Sequence, residues 1–186
     1  MRNQRQPRFT AETMCSIVQN TTGQYRVLYA LLAGSGLRIG EALGLEAESI
    51  SKDFGTLYVR KSIWQGMRQT PKTASAVRDV DLSSDLAAML TDFVADRKTG
   101  LVFRNAVGRP LAQSNVLRRS LHPMLESLEV PKAGFHSFRR FRFIQGASNA
   151  QSIFCSRHSA TEVTHEVLQT NSPRANGFLM LLVFFR

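Results

Sequence analysis

The sequence predicts a mainly helical α+β domain, and three observations lead there. Segments with helical spacing of apolar residues outnumber those with strand character. The strand-like runs lie together in one small antiparallel cluster, instead of alternating with helices as βαβ units do. The length, 186 residues, suits one domain with a sizeable core.

Each element follows from its residues. Phe9 to Asn20 reads as a helix entered at Thr10, with Met14, Ile17 and Val18 on one face. A second apolar stretch, Tyr25 to Ala33, stops at Gly34-Ser35-Gly36. Leu37 to Gly44 restarts as a short helix, which puts Arg38 in its first turn. Thr56 to Ile63 and Val77 to Leu82 have strand character, and the polar stretch between them holds Gly66 and Pro71, as a hairpin connection does. Ser83-Ser84-Asp85 caps a helix to about Lys98, with Leu86, Met89, Leu90, Phe93 and Val94 on one face. Ser114 caps another, which Pro123 must kink or restart.

From Phe143 the chain changes character. The first 142 residues hold 33 charged side chains and the last 44 hold five. Periodicity is poor in that tail, and no helix or strand is assigned to it. Two cysteines, Cys15 and Cys155, make no disulfide framework. The apolar run Phe178 to Phe185 is too short to span a bilayer, and Met1 to Arg8 lacks the apolar stretch of a signal peptide. The expected location is cytoplasmic, away from membranes.

Charge narrows the partner. Lys and Arg number 24 against 14 Asp and Glu, for a net charge of +10 and a pI near 10.6. Nineteen of those bases are arginine, whose planar fork grips phosphate oxygens two at a time. Such an excess supplies the sequence-independent, salt-sensitive part of nucleic-acid affinity.

Gly34-Ser35-Gly36-Leu37-Arg38-Ile39-Gly40 is not a dinucleotide fingerprint. Its spacing is wrong and an apolar helix precedes it where a strand is required. Glu41 lies three residues after Arg38, on the same face of a helix. Lys72 sits in the connection between the two strand-like runs, where a lysine is ordinarily just solvated. His136 and Arg139, spaced i and i+3 on a helix, can both reach one phosphate.

Taken together, these segments resemble the catalytic domain of the tyrosine recombinases, the phage-integrase family. Gly36-Leu37-Arg38-Ile39-Gly40-Glu41-Ala42-Leu43 is similar to the segment carrying that family's first catalytic arginine. The Lys72 loop, followed by Arg78-Asp79-Val80-Asp81-Leu82 and a helix, is similar to its β-hairpin lysine segment. His136-Ser137-Phe138-Arg139 is similar to its H-x-x-R box. The resemblance runs from about Phe9 to Arg142. It implies a basic leader at 1–8, a catalytic domain at 9–142, and a degenerate or out-of-frame tail at 143–186.

The resemblance also implies chemistry. In the family a tyrosine attacks the scissile DNA phosphate and leaves a 3′-phosphotyrosyl bond, with no metal or other cofactor. By position, Arg38 and Arg139 would clamp the non-bridging oxygens, and Lys72 would protonate the leaving 5′-oxygen. His136 would donate a hydrogen bond or assist proton transfer, and Glu41 would orient Arg38. The implied partner is double-stranded DNA, bound by a homo-oligomer. Only about nine residues precede the first helix, where the family usually carries a second DNA-clamping domain, so weak, micromolar-class binding is expected.

One departure decides what is expected of the activity. The three tyrosines, Tyr25, Tyr29 and Tyr58, all precede residue 60. Counted from a weak echo of the intervening histidine box at Arg157-His158-Ser159-Ala160, the nucleophile position falls near Val167 or Leu168. The expectation is therefore an incomplete recombinase, unable to cleave DNA by itself. The alternative is a non-catalytic DNA-binding module, or a partner of an intact recombinase that supplies the tyrosine. Metal binding by Cys155, His158 and His165 lacks ligand pairing and a fourth ligand. A metal-dependent nuclease is disfavoured because carboxylates do not cluster; Asp96 is the last aspartate. If the tail arises from a lost reading frame, a neighbouring frame of the gene will encode a Gly-His box followed by a tyrosine. Reading the nucleotides checks this.

Overall fold

A threonine hydroxyl and a left-handed glycine bracket the first two helices in the computed structural model, which describes residues 8–64, 67–69, 77–95 and 97–145. Helix α1 (Ala11–Asn20) starts where Thr10 Oγ1 accepts the Thr13 N–H at 3.2 Å, and it buries Met14, Ile17 and Val18. Helix α2 (Gly23–Ser35) is buried on all sides from Val27 to Gly34, so it is the central helix rather than a surface one. It runs through Gly34 and Ser35 and ends at Gly36, whose φ of +66° suits a residue without a Cβ. A side chain there would also meet Arg142 Cγ at 3.0 Å.

Helix α3 (Ile39–Leu43) is shorter than expected, and Arg38 precedes it as the N-cap residue instead of standing in its first turn. The physical reason is the extended backbone of Arg38, ψ 147°, which carries the chain away from the Gly36 turn. The run from Thr56 to Ile63 is likewise two strands. Strand β1 (Thr56–Val59) ends before Arg60, which folds back to donate to the Arg78 carbonyl and to Asp79. Strand β2 (Ser62–Trp64) then pairs antiparallel with β3 (Met67–Gln69) and lies against α3. Gly40 permits this approach: a Cβ at that position would stand 2.7 Å from the Ile63 carbonyl oxygen. Strand β4 (Arg78–Asp81) pairs antiparallel with β1, matching Val59 with Arg78 and Leu57 with Val80. The expected strand pairing is thus present, with a second small hairpin inserted between its partners.

Helix α4 (Ser84–Val94) buries Leu86, Leu90 and Val94, while Met89 and Phe93 pack at the edge of the core. It stops four residues before Lys98 because Arg97 turns back over its end. The guanidinium takes the Phe93 carbonyl at 3.1 Å and the Val102 carbonyl at 3.0 Å. Helix α5 (Gln113–Val116) is entered at Ala112 rather than Ser114, and continues through a π turn (Leu117–Leu121) into α6 (His122–Ser127). The widened turn ends two residues before Pro123, whose missing N–H and bulky ring cannot fit a regular α turn.

Helix α7 (His136–Gln145) extends three residues into the stretch from Phe143, where sequence periodicity assigns no helix. It packs on α2 through Phe138, which is fully buried. The Phe138 ring stacks on Tyr29 with centroids 5.6 Å apart and meets Phe9 edge-on at 5.3 Å. Tyr29 donates its hydroxyl to Ser120 Oγ at 2.7 Å, and burial pushes its phenol up to about 12. The remaining residues, 146–186, including His158, Val167 and Leu168, lie outside the described part. Among the described residues no helix is long and apolar enough to cross a membrane.

Replacing Phe138 by Ala removes the ring that ties α7 to α2 and to the segment leading into α1. Phe138→Ala is expected to lower stability by about 3–5 kcal/mol, measured by denaturant unfolding.

Candidate functional site

Two arginines from separate stretches of chain bond one carboxylate, and a third arrives nearby from α7. Glu41, on α3, is only 7% exposed. Its Oε2 accepts the Arg38 backbone N–H at 2.8 Å, and its Oε1 accepts Arg38 Nη1 at 3.0 Å. The backbone contact caps the first turn of α3, since arginine has no acceptor with which to return the bond. From β4, Arg78 forks across both oxygens, with Nη1 to Oε1 at 3.0 Å and Nη2 to Oε2 at 2.9 Å.

Arg139 comes from α7. Its Nη1 donates to the Gly36 carbonyl at 2.9 Å, two residues before Arg38, and its guanidinium lies over the Phe143 ring at 5.0 Å. Burial first, and then the charge of Arg38, pull the Arg139 guanidinium below its ordinary range, while Glu41 partly offsets them. Arg139 is thus tied to the turn that leads into Arg38, and feels the Arg38 charge. The result is a net positive cluster in which the Arg38 side chain remains 61% exposed.

His136 occupies the first position of α7, one turn before Arg139, and is exposed. Of the sequence-predicted residues, Arg38, Glu41 and Arg139 are thus gathered, with His136 on the helix that carries Arg139. Lys72 lies outside the described residues. Arg78 was not among the predicted site residues. Its signal was alternation: on β4 it shares a face with half-buried Val80, while Asp79 and Asp81 face outward.

The sequence model described as the phage integrase family matches residues 7–144. The chain belongs to the phage integrase family. A curated relative, a XerC-like tyrosine recombinase of Caldanaerobacter subterraneus subsp. tengcongensis, is 27% identical over 160 residues, covering 70% of this chain and 41% of the relative. Among solved structures, the Tn1549 transposon integrase in complex with a circular intermediate DNA matches with a TM-score of 0.61 at 18% identity, covering 82% of this chain and 61% of that one. A lambda integrase dimer bound to a COC′ core site matches with a TM-score of 0.54 at 20% identity, covering 84% and 60%. The phage-integrase fold, mainly helical with a small antiparallel sheet component, is therefore the fold of this chain, which spans about two fifths of its curated relative.

Protonation offers a handle on the cluster. Burial alone would raise the Glu41 carboxyl. The Arg78 fork, the Arg38 backbone N–H and the Arg78 and Arg38 side chains outweigh it and hold the group below the usual carboxylate range. A carboxylate with a depressed folded pKa adds stability above its unfolded value, about 4.3, and loses it as pH falls through the folded one. The gap in melting temperature between the wild-type chain and Glu41→Gln is therefore expected to be widest above about pH 5 and to close on acidification. Calorimetry across that range checks it; a gap independent of pH would contradict it.

Proposed function

We propose that this chain carries the phosphate-gripping part of a tyrosine-recombinase active site, serves site-specific DNA recombination or integration, and is incomplete without a tyrosine from elsewhere. The observation that carries the reading is that Arg139 bonds the Gly36 carbonyl, two residues before Arg38, while Arg38 is held on a buried, arginine-saturated carboxylate. A pentacoordinate phosphorus gathers negative charge on its non-bridging oxygens. Guanidiniums held in place beforehand stabilise that charge in the transition state with little reorganisation.

In this reading Arg38 and Arg139 hold the non-bridging oxygens, and Glu41 orients Arg38. His136, exposed one turn before Arg139 on α7, donates a hydrogen bond or assists proton transfer, and Lys72 protonates the leaving 5′-oxygen. The catalytic domain is 9–142, and 143–186 is the degenerate or out-of-frame tail. Double-stranded DNA is the proposed partner, which the +10 charge favours. A homo-oligomer on DNA follows by analogy with the lambda integrase dimer on its core site.

The sequence holds no tyrosine after Tyr58. Tyr29 is no substitute, because its buried hydroxyl is bonded to Ser120 and its phenol resists ionisation. That favours a second reading, a DNA-binding module that acts only alongside an intact recombinase. Covalent trapping on a nicked duplex separates the two. The chain alone is expected to form no denaturation-resistant adduct, and an adduct would overturn the claim of incompleteness. Mixed with a recombinase that retains its tyrosine but lacks its first catalytic arginine, the chain is expected to restore adducts if it supplies the phosphate grip. Arg38→Gln in this chain should then lower their formation rate roughly a hundred- to a thousandfold. No adducts in the mixture would leave the binding module as the better reading.

A further inference from the structure

We propose that Arg78 is a positioning residue that locks Glu41 and thereby keeps Arg38 available to an anion; this rests on the reading of Arg38 as part of the phosphate grip. A carboxylate offers about four lone-pair sites. Glu41 receives four donors, two from Arg38 and two from Arg78, so its acceptor capacity is filled. The two arginines divide the work unequally. Arg78 commits a fork to both oxygens and is 29% exposed, whereas Arg38 gives one side-chain N–H to Oε1 and remains 61% exposed.

Glu41 needs an external restraint. Helix α3 has five residues, far below the length at which a helix holds its own geometry. Strand β4 provides the restraint, because Arg78 is fixed in register opposite Val59. With both carboxylate oxygens bridged by Arg78, the plane of the carboxylate is set, and a bidentate grip on Arg38 is blocked. Without Arg78, Glu41 is free to close both oxygens on the Arg38 guanidinium and compete with any bound phosphate. A lysine at 78 keeps the charge but not the fork. The role is one of orientation through Glu41, not contact with the substrate.

A double-mutant cycle on the full chain tests this, with inorganic phosphate as the probe and the Arg38 amide and Nε resonances as the readout. Arg78→Gln is expected to weaken phosphate binding at Arg38 about five- to tenfold and to raise the titration midpoint of the Glu41 carboxyl. In a Glu41→Gln background the same substitution is expected to change affinity by less than about twofold. Arg78→Lys should fall between wild type and Arg78→Gln, and it serves as the working variant if the glutamine form loses its native amide spectrum. An equal loss in the Glu41→Gln background would mean that Arg78 touches the anion itself, and would overturn the proposal. So would an unchanged Glu41 titration in Arg78→Gln. Failure of the underlying phosphate reading looks different: Arg38→Gln would leave phosphate affinity intact, and the proposed purpose of Arg78 would go with it.

Discussion

A carboxylate as buried as Glu41 loses hydration worth several kcal/mol, and only donors aimed at it can offset that loss. Here the donors come from the residue that caps its own short helix and from a strand distant in sequence. The positions of α3, the Gly36 turn and β4 relative to one another are therefore conditions for keeping Glu41 ionised. The same requirement brings two guanidiniums to one place. Left to themselves they repel, and the carboxylate between them is what makes their proximity tolerable.

The third arginine reaches the cluster by packing rather than by charge. Phe138 sits between Tyr29, Phe9 and Phe135, which sets the rotation of α7 about its axis. Arg139 is the next residue, so its direction follows from where Phe138 is buried. The Gly36 carbonyl then accepts one N–H and fixes the distance to the Arg38 segment. Two glycines serve this arrangement for different reasons: Gly36 adopts a left-handed turn, and Gly40 lets the Ile63 backbone approach α3.

Much of the helical frame was legible because apolar spacing reports burial directly. Met14, Ile17 and Val18 are buried as their period requires, and so are Leu86, Leu90 and Val94. Pro123 marked an irregularity, and it took the form of a π turn rather than a break. Boundaries were less legible where a distant side chain ends the element. Arg97 stops α4 by binding carbonyls on both sides of its turn, and Arg60 helps divide one strand-like run in two.

By itself, the sequence determined the residue types of the candidate site and their order. A motif is a local pattern, and Arg38 with Glu41, or His136 with Arg139, lie within one helical turn of each other. It also determined that no tyrosine follows Tyr58. The part played by Arg78 was decided only in three dimensions. Its partner lies 37 residues away, and whether a strand arginine faces solvent or a buried carboxylate depends on pairing register and on how closely a glycine-bearing helix packs. Charge and spacing along a chain carry no information about that distance; the sheet and the core supply it.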